Sequence, residues 1–189
     1  MVELLRNPHV MQKVRIELSE IISPARRIKE SDIDWLPYFQ VVVKETMRFH
    51  PLAPHLLPYK AKYYLEILGF TIPKDSNVLV NIWAIARDPR YREDPLSFLP
   101  GRFLGSNIDF RGRDFEYLPF GAGKRICPGI PPGLRMVHFV LASIIHSFSW
   151  KFPQGITLES LNMKEQFGVT LKKVIPLCAI PFIEEKCSQ

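Results

Sequence analysis

The ten residues Phe120 to Gly129, FGAGKRICPG, put one thiol and two cations among four glycines or prolines, between an aromatic segment and an apolar helical run. Phosphate binding is the first chemistry to try, because GAGK has the look of a loop whose amides cradle phosphates. A Walker loop ending at Gly123-Lys124 would need glycine at Leu118 and Ser or Thr at Arg125. A dinucleotide fingerprint from Gly121 would need glycine at Ile126, so neither fits. Zinc fits no better. Cys127 has no cysteine two to four residues away, and His138 and His146 fall well inside the next helical run.

A lone thiolate bound to one large metal centre suits the pattern. Amides and the positive end of the helix that follows Cys127 would favour the thiolate. Glycines at 121, 123, 129 and 133 would let backbone approach a flat macrocycle, and Arg125 could pair with a carboxylate on its rim. Haem has both features. The plainer alternative is a buried cysteine in a tight turn.

The elements that must position this loop are read from periodicity and punctuation. Met1 to Arg6 is helical in pattern, and Asn7-Pro8 supplies a cap and first-turn proline for an amphipathic helix that ends near Ser23-Pro24. YFQVVVKETMRFHP is a short helix closed by Pro51. From Leu52 to Val80, β-prone pieces between turn residues predict hairpins, and VNIWAIARDP predicts a brief helix stopped by Pro89. Tyr91 to Pro119 is a long meander with little regular structure. Leu134 to Phe148 is the longest apolar helix; Val137 to Trp150, interrupted by His138, Ser143, His146, Ser147 and Ser149, is too short to cross a bilayer and reads as a buried core helix. Phe152 to Ile183 returns to short strands.

Composition agrees with a folded chain: 47% of the 189 residues are hydrophobic and 23% charged, so disorder is excluded. The net charge of +6 favours acidic partners, but the cations are scattered in pairs rather than massed with aromatics, which argues against nucleic acid. Three cysteines, Cys127, Cys178 and Cys187, without a secretory signal ahead of them point away from a disulfide framework.

Phe120-x-x-Gly123-x-Arg125-x-Cys127-x-Gly129 resembles the haem-binding signature of the cytochromes P450, the haem-thiolate monooxygenases. Glu45-Thr46-Met47-Arg48 resembles that family's E-x-x-R motif, and its two charges share one helical face at i,i+3. Glu3-Leu4-Leu5-Arg6 has the same spacing, but only Glu45 to Arg48 is followed by Phe49-His50-Pro51. FLPGRF resembles the P-E-R-F motif, with Gly101 in place of its glutamate, and FTIPK and WAIARDP resemble further stretches of the plant microsomal branch. The likeness covers essentially the whole chain and matches the carboxy-terminal portion of the longer family fold.

The resemblance implies a mainly α fold with small β-sheets, residues 1–189 forming the proximal, carboxy-terminal part of one domain. Met1 to Arg6 would then be the tail of the long central helix. It implies haem b, with Cys127 as the iron ligand and Tyr59, Phe120, Gly123, Arg125 and Gly129 around the cofactor. Tyr59 stands where the plant branch usually has a propionate-binding arginine, and Pro132-Gly133 should weaken the helix start after the loop by about a kilocalorie. Glu45, Arg48 and Arg102 would form a network bracing the meander. His55, Leu56, Leu57, Phe167, Gly168 and Val169 would face a small lipophilic substrate such as a terpenoid or phenolic.

The implied activity is insertion of one oxygen atom from O2, the thiolate pushing electron density toward iron. Electrons would come from NADPH through NADPH-cytochrome P450 reductase, docking at Arg111, Arg113 and Lys124. The expected location is the cytoplasmic face of the endoplasmic reticulum, held by an amino-terminal anchor that this chain lacks. The central-helix acid and alcohol would be lacking too, so the 189 residues alone are expected to be inactive. The competing expectation is a short non-catalytic product that at most binds haem or a partner protein.

Overall fold

A computed structural model describes residues 1–23, 25–168 and 170–183; Val169 and Cys187 of the sequence reading lie outside the described residues. Helices α1 (Val2–Arg6), α2 (Pro8–Ile21) and α3 (Pro37–Phe49) lead into strands β1 (Tyr59–Lys60), β2 (Leu65–Ile67), β3 (Phe70–Ile72) and β4 (Asn77–Val78). After the short α4 (Ile82–Ile85) the chain runs through the meander, broken only by a 3-10 turn at Pro100–Phe103. Another 3-10 turn, Gly123–Arg125, precedes α5 (Ile130–Ser147) and strands β5 (Ser149–Lys151), β6 (Glu165–Gln166), β7 (Lys172–Lys173) and β8 (Ile180–Phe182), and a further one, Glu30–Trp35, lies between α2 and α3. The strands pair antiparallel as β1-β4, β2-β3, β5-β8 and β6-β7, four separate two-stranded ribbons. The expectation of a mainly α fold with small sheets holds. Among the described residues no helix is long and apolar enough to cross a membrane.

The core gathers apolar stripes at helical spacing. Val10, Val14 and Leu18 of α2 pack against Phe39 and Val42 of α3 and Ala142 and Ile145 of α5. A second cluster, Val41, Phe103 and Tyr117, joins the other side of α3 to the meander, and the Tyr117 hydroxyl donates to the Lys44 carbonyl at 3.0 Å. Helix α3 starts at a proline with no capping side chain of its own. Glu17 of α2 takes that part, its two carboxylate oxygens accepting from the Tyr38 and Phe39 amides at 2.7 and 2.8 Å. Asn7 does not cap α2 with its side chain as its position suggests; its amide turns back and donates to Glu3.

Two expectations about α5 need correction. The helix is not buried all round: His138, Ala142 and Ile145 lie inside, while Met136, Val137, Phe139 and Val140 are exposed. Apolar residues lie on every side of this helix, and among the described residues α2, α3 and the turn at Glu30–Trp35 pack against it along one side. The prolines at its start also cost less than expected. With the helix beginning at Ile130, Pro131 and Pro132 fall in the first turn, where no amide has an intrahelical acceptor. Gly133 then closes the turn by donating to the Gly129 carbonyl at 2.9 Å.

Candidate functional site

The cysteine loop folds on itself through backbone. Gly121 donates to Leu118, Ile126 to Gly123, and the Cys127 amide to the Phe120 carbonyl at 3.0 Å. Phe120 ends an aromatic series, its ring centroid 5.9 Å from Phe110, which lies 5.7 Å from the buried Tyr117. Under the loop lies Gly112, at φ +69°. A Cβ there would fall 2.7 Å from the Gly121 carbonyl oxygen and 2.8 Å from the Ala122 Cα, so only glycine allows this contact. In the sequence Gly112 is one residue of the long meander Tyr91 to Pro119, and nothing in its neighbours reveals what it supports. The Cys127 thiol is exposed, and a Cβ on Gly129 would lie 3.6 Å from its sulfur. Cys178 is exposed as well but lies in the tail, without such a loop.

Arg125 and Tyr59 come together. The guanidinium lies 5.1 Å from the tyrosine ring centroid and donates to the Pro58 carbonyl at 3.3 Å, beside an open cavity of about 580 Å³ that Lys60, Lys62 and Asp75 also line. The segment before Tyr59 leans on the cysteine loop: Leu56, at φ +51°, has a methyl 3.5 Å from where a Gly121 Cβ would be. The structure brings His55 and Phe167 edge to face at 5.3 Å, and Leu171 donates to the Leu52 carbonyl, so the β6-β7 hairpin lies beside the segment His55 to Leu57. Leu57 and Phe167 are exposed, and Gly168 is in the hairpin turn.

Between α3 and the meander lies a sealed charge network. Glu45 and Arg48 are 0% and 1% exposed. Arg48 uses all five of its N–H groups: Nε and Nη2 on the two Glu45 oxygens at 2.7 and 2.8 Å, and the rest on the carbonyls of Ala86, Pro95 and Ser97. Glu45 Oε1 also accepts from the Leu99 amide at 2.8 Å and from Arg102 Nε at 3.2 Å. Arg102 in turn holds the carbonyls of Glu93, Asp94 and Ser97. Gly101 beside it has open space where a side chain would project. Burial, then the like charge of Arg48, pulls the Arg87 and Arg92 guanidinia below the ordinary arginine range, and burial pushes the Tyr117 hydroxyl well above its own.

Of the three cations considered for docking, Arg113 and Lys124 are exposed, but Arg111 already pairs with Asp109 at 3.2 Å. A further cluster escapes sequence reading. Glu3, set aside as a chance spacing match, is buried, pairs with Arg6 at 3.3 Å and meets His50 Nε2 at 2.9 Å; the other ring nitrogen of His50 meets Glu165 at 2.7 Å. The partners stand 47 and 115 residues from His50, and no local spacing announces them.

Among the described residues no three His, Cys, Asp or Glu side chains converge to hold a bare ion. One exposed thiol suits instead a metal that brings its other ligands with it, as haem does. The surroundings fit: Gly123, at φ +64°, has open space where a Cβ would project, and Arg125 stands at the loop's flank to meet a carboxylate.

The comparisons with known proteins agree over nearly the full length. The family model for cytochrome P450 matches residues 1–177. Cytochrome P450 76C2 of Arabidopsis thaliana is 54% identical over 181 residues, 96% of this chain and 35% of that protein. Geraniol 8-hydroxylase of Catharanthus roseus is 50% identical over 96% of the chain and 37% of its own length. A zebra fish cytochrome P450 structure with progesterone superposes with a TM-score of 0.80 at 31% identity, covering 96% of this chain and 40% of that one. The chain thus spans little more than a third of the length of the relatives it matches.

Proposed function

The chain belongs to the cytochrome P450 family, and from that premise we propose that it supplies the haem-ligating part of a monooxygenase that inserts one oxygen atom from O2 into a small lipophilic substrate. Electrons come from NADPH through a reductase. The observation that carries the reading is the exposed Cys127 thiol in a backbone-closed loop at the start of α5. Cys127 holds the iron, Arg125 and Tyr59 meet a haem carboxylate, and Phe120, Gly123 and Gly129 form the wall against the macrocycle. When bound, haem supplies the activation of oxygen that no side chain here provides. The Glu45-Arg48-Arg102 network fixes the meander on which Gly112 and the loop rest.

Relatives named geraniol 8-hydroxylase favour a small terpenoid alcohol over a phenolic as the substrate class. His55, Leu56, Leu57, Phe167 and Gly168 contribute to its pocket, apolar apart from the His55 imidazole. Arg113 and Lys124 serve the reductase, with Arg111 weakened for that purpose by Asp109. Residues 1–189 make up the carboxy-terminal portion of one domain. We extend the proposal to these 189 residues taken alone: with the apolar face of α5 around Phe139 and Val140 open to water, they are expected to hold haem weakly and not to turn over substrate.

The test is the ferrous carbon monoxide spectrum of haem-loaded protein. Cys127→Ser should lose the red-shifted thiolate band while Cys178→Ser and Cys187→Ser keep it. A Cys127→Ser protein that keeps the band would overturn the assignment.

A further inference from the structure

His50 caps the C-terminus of α3 and has a carboxylate oxygen on each side of its ring, Glu3 Oε1 at 2.9 Å from Nε2 and Glu165 Oε1 at 2.7 Å from Nδ1. A neutral imidazole has one N–H and one lone pair, so it can donate to only one of them. Both contacts are hydrogen bonds only when both nitrogens carry protons. We propose that His50 is a proton-operated latch: as an imidazolium it pins the β6-β7 hairpin, through Glu165, to the ends of α1 and α3, and on losing its proton it releases that hairpin.

The charges facing the ring decide which bond survives. From α1, Glu3 keeps Arg6 and the Asn7 amide as further partners and is 5% exposed. From β6, Glu165 is 25% exposed and can turn to water. At the end of α4 the Arg87 guanidinium lies 5.2 Å from the Phe49 ring centroid and attracts Glu165. On α3 itself Arg48 and Glu45 neutralise each other. The neutral ring therefore keeps its N–H on Glu3, and Glu165 leaves. Burial lowers the His50 pKa, but the two carboxylates outweigh it and hold the value above the ordinary histidine range. The sign follows: pinning is complete below that range and is lost as pH rises through the raised value.

Among the described residues the hairpin is lightly held. Its strands pair Glu165 with Lys173 and Gln166 with Lys172, and it meets the body through the Leu171 amide on Leu52, Phe167 on His55 and the attraction of Arg87 for Glu165. Such an element opens locally at low cost. That this opening would widen a substrate pocket rests on the function proposed above; the latch itself rests on the three side chains and needs no haem.

Mass spectrometry of the protein without added haem tests it, reading His50 titration from imidazole C2 hydrogen exchange and hairpin opening from amide exchange, across a pH series corrected for intrinsic rates. Corrected exchange over residues 165–173 should rise about tenfold, as for loss of a charge-assisted bond, at the pH where His50 titrates. Glu165→Gln should exchange at the fast rate throughout and lower the His50 titration. Protection of α2 and α3 amides in the same runs reports that the fold is intact, and Glu3→Gln should also lower the titration. A flat corrected profile, a Glu165→Gln protein that keeps the step, or a His50 titration unmoved by either substitution would overturn the latch. Absence of monooxygenase activity would bear on the proposed function alone.

Discussion

The Glu45-Arg48-Arg102 network and the Cys127 loop lie in one small structure and are built on opposite rules. In the first, every donor of a buried guanidinium and both oxygens of a buried carboxylate are used within the protein, by partners up to 57 residues apart. In the second, backbone bonds close the loop and the Cys127 side chain is left exposed. A saturated network resists any change because each group removed strands another. An unsaturated loop tolerates changes to its side chain and keeps its capacity for a ligand. Under the proposed function, stability and chemistry fall to different residues.

The contrast breaks most visibly at Arg48. Arg48→Ala leaves the Glu45 carboxylate buried without its main partner and should cost about 3–5 kcal/mol, enough to unfold the meander; denaturant melts of the variant check it. A near-wild-type midpoint would reduce the network to an ordinary surface pair. Gly112→Ala comes next, because its methyl would collide with the backbone of Gly121 and Ala122 at a left-handed φ. A loss of roughly 1–3 kcal/mol is expected, with weakened haem retention by the Cys127 loop.

Stability against pH sharpens the comparison more gently. Glu3 is pushed up by burial but drawn below its ordinary value by His50 and then Arg6. Its contribution is present above the ordinary glutamate range and is lost as pH falls through the depressed value. That of His50 is lost as pH rises through its raised value. Melts across pH should therefore show a plateau bounded on the acid side by Glu3 and on the alkaline side by His50, and His50→Gln should remove the alkaline edge. The smallest effect belongs to Cys127→Ser, which should move apo stability by no more than about 0.5 kcal/mol, as an exposed side chain does. A larger loss would mean that the thiol packs structurally.

What could be read from sequence was what lies within a few residues. The cysteine loop is contiguous, Glu45 and Arg48 are one helical turn apart, and the hairpins announce themselves by turn residues such as Gly69, which takes a positive φ between β2 and β3. Arg102 was found through its motif. Glu17 capping α3 from 21 residues away, Gly112 under the cysteine loop, and Glu3 and Glu165 on His50 left no such trace, because only the tertiary fold makes them neighbours. The open face of α5 was misread for another reason. A helix apolar on all sides has the same pattern whether or not a second element covers it.

The spacing inside the charge network also sets an order of events during synthesis. Glu45 leaves the ribosome 57 residues before Arg102, the interval of their contact. At usual elongation rates that is a wait of roughly 3–10 s in which the pair on α3 is hydrated, exposed and without the carbonyls that later enclose it. The meander cannot be laid down gradually, since Ala86, Pro95 and Ser97 all anchor to the same guanidinium. Arg48 thus gains its full set of partners only once Ser97 has emerged, and Glu45 only once Arg102 has followed.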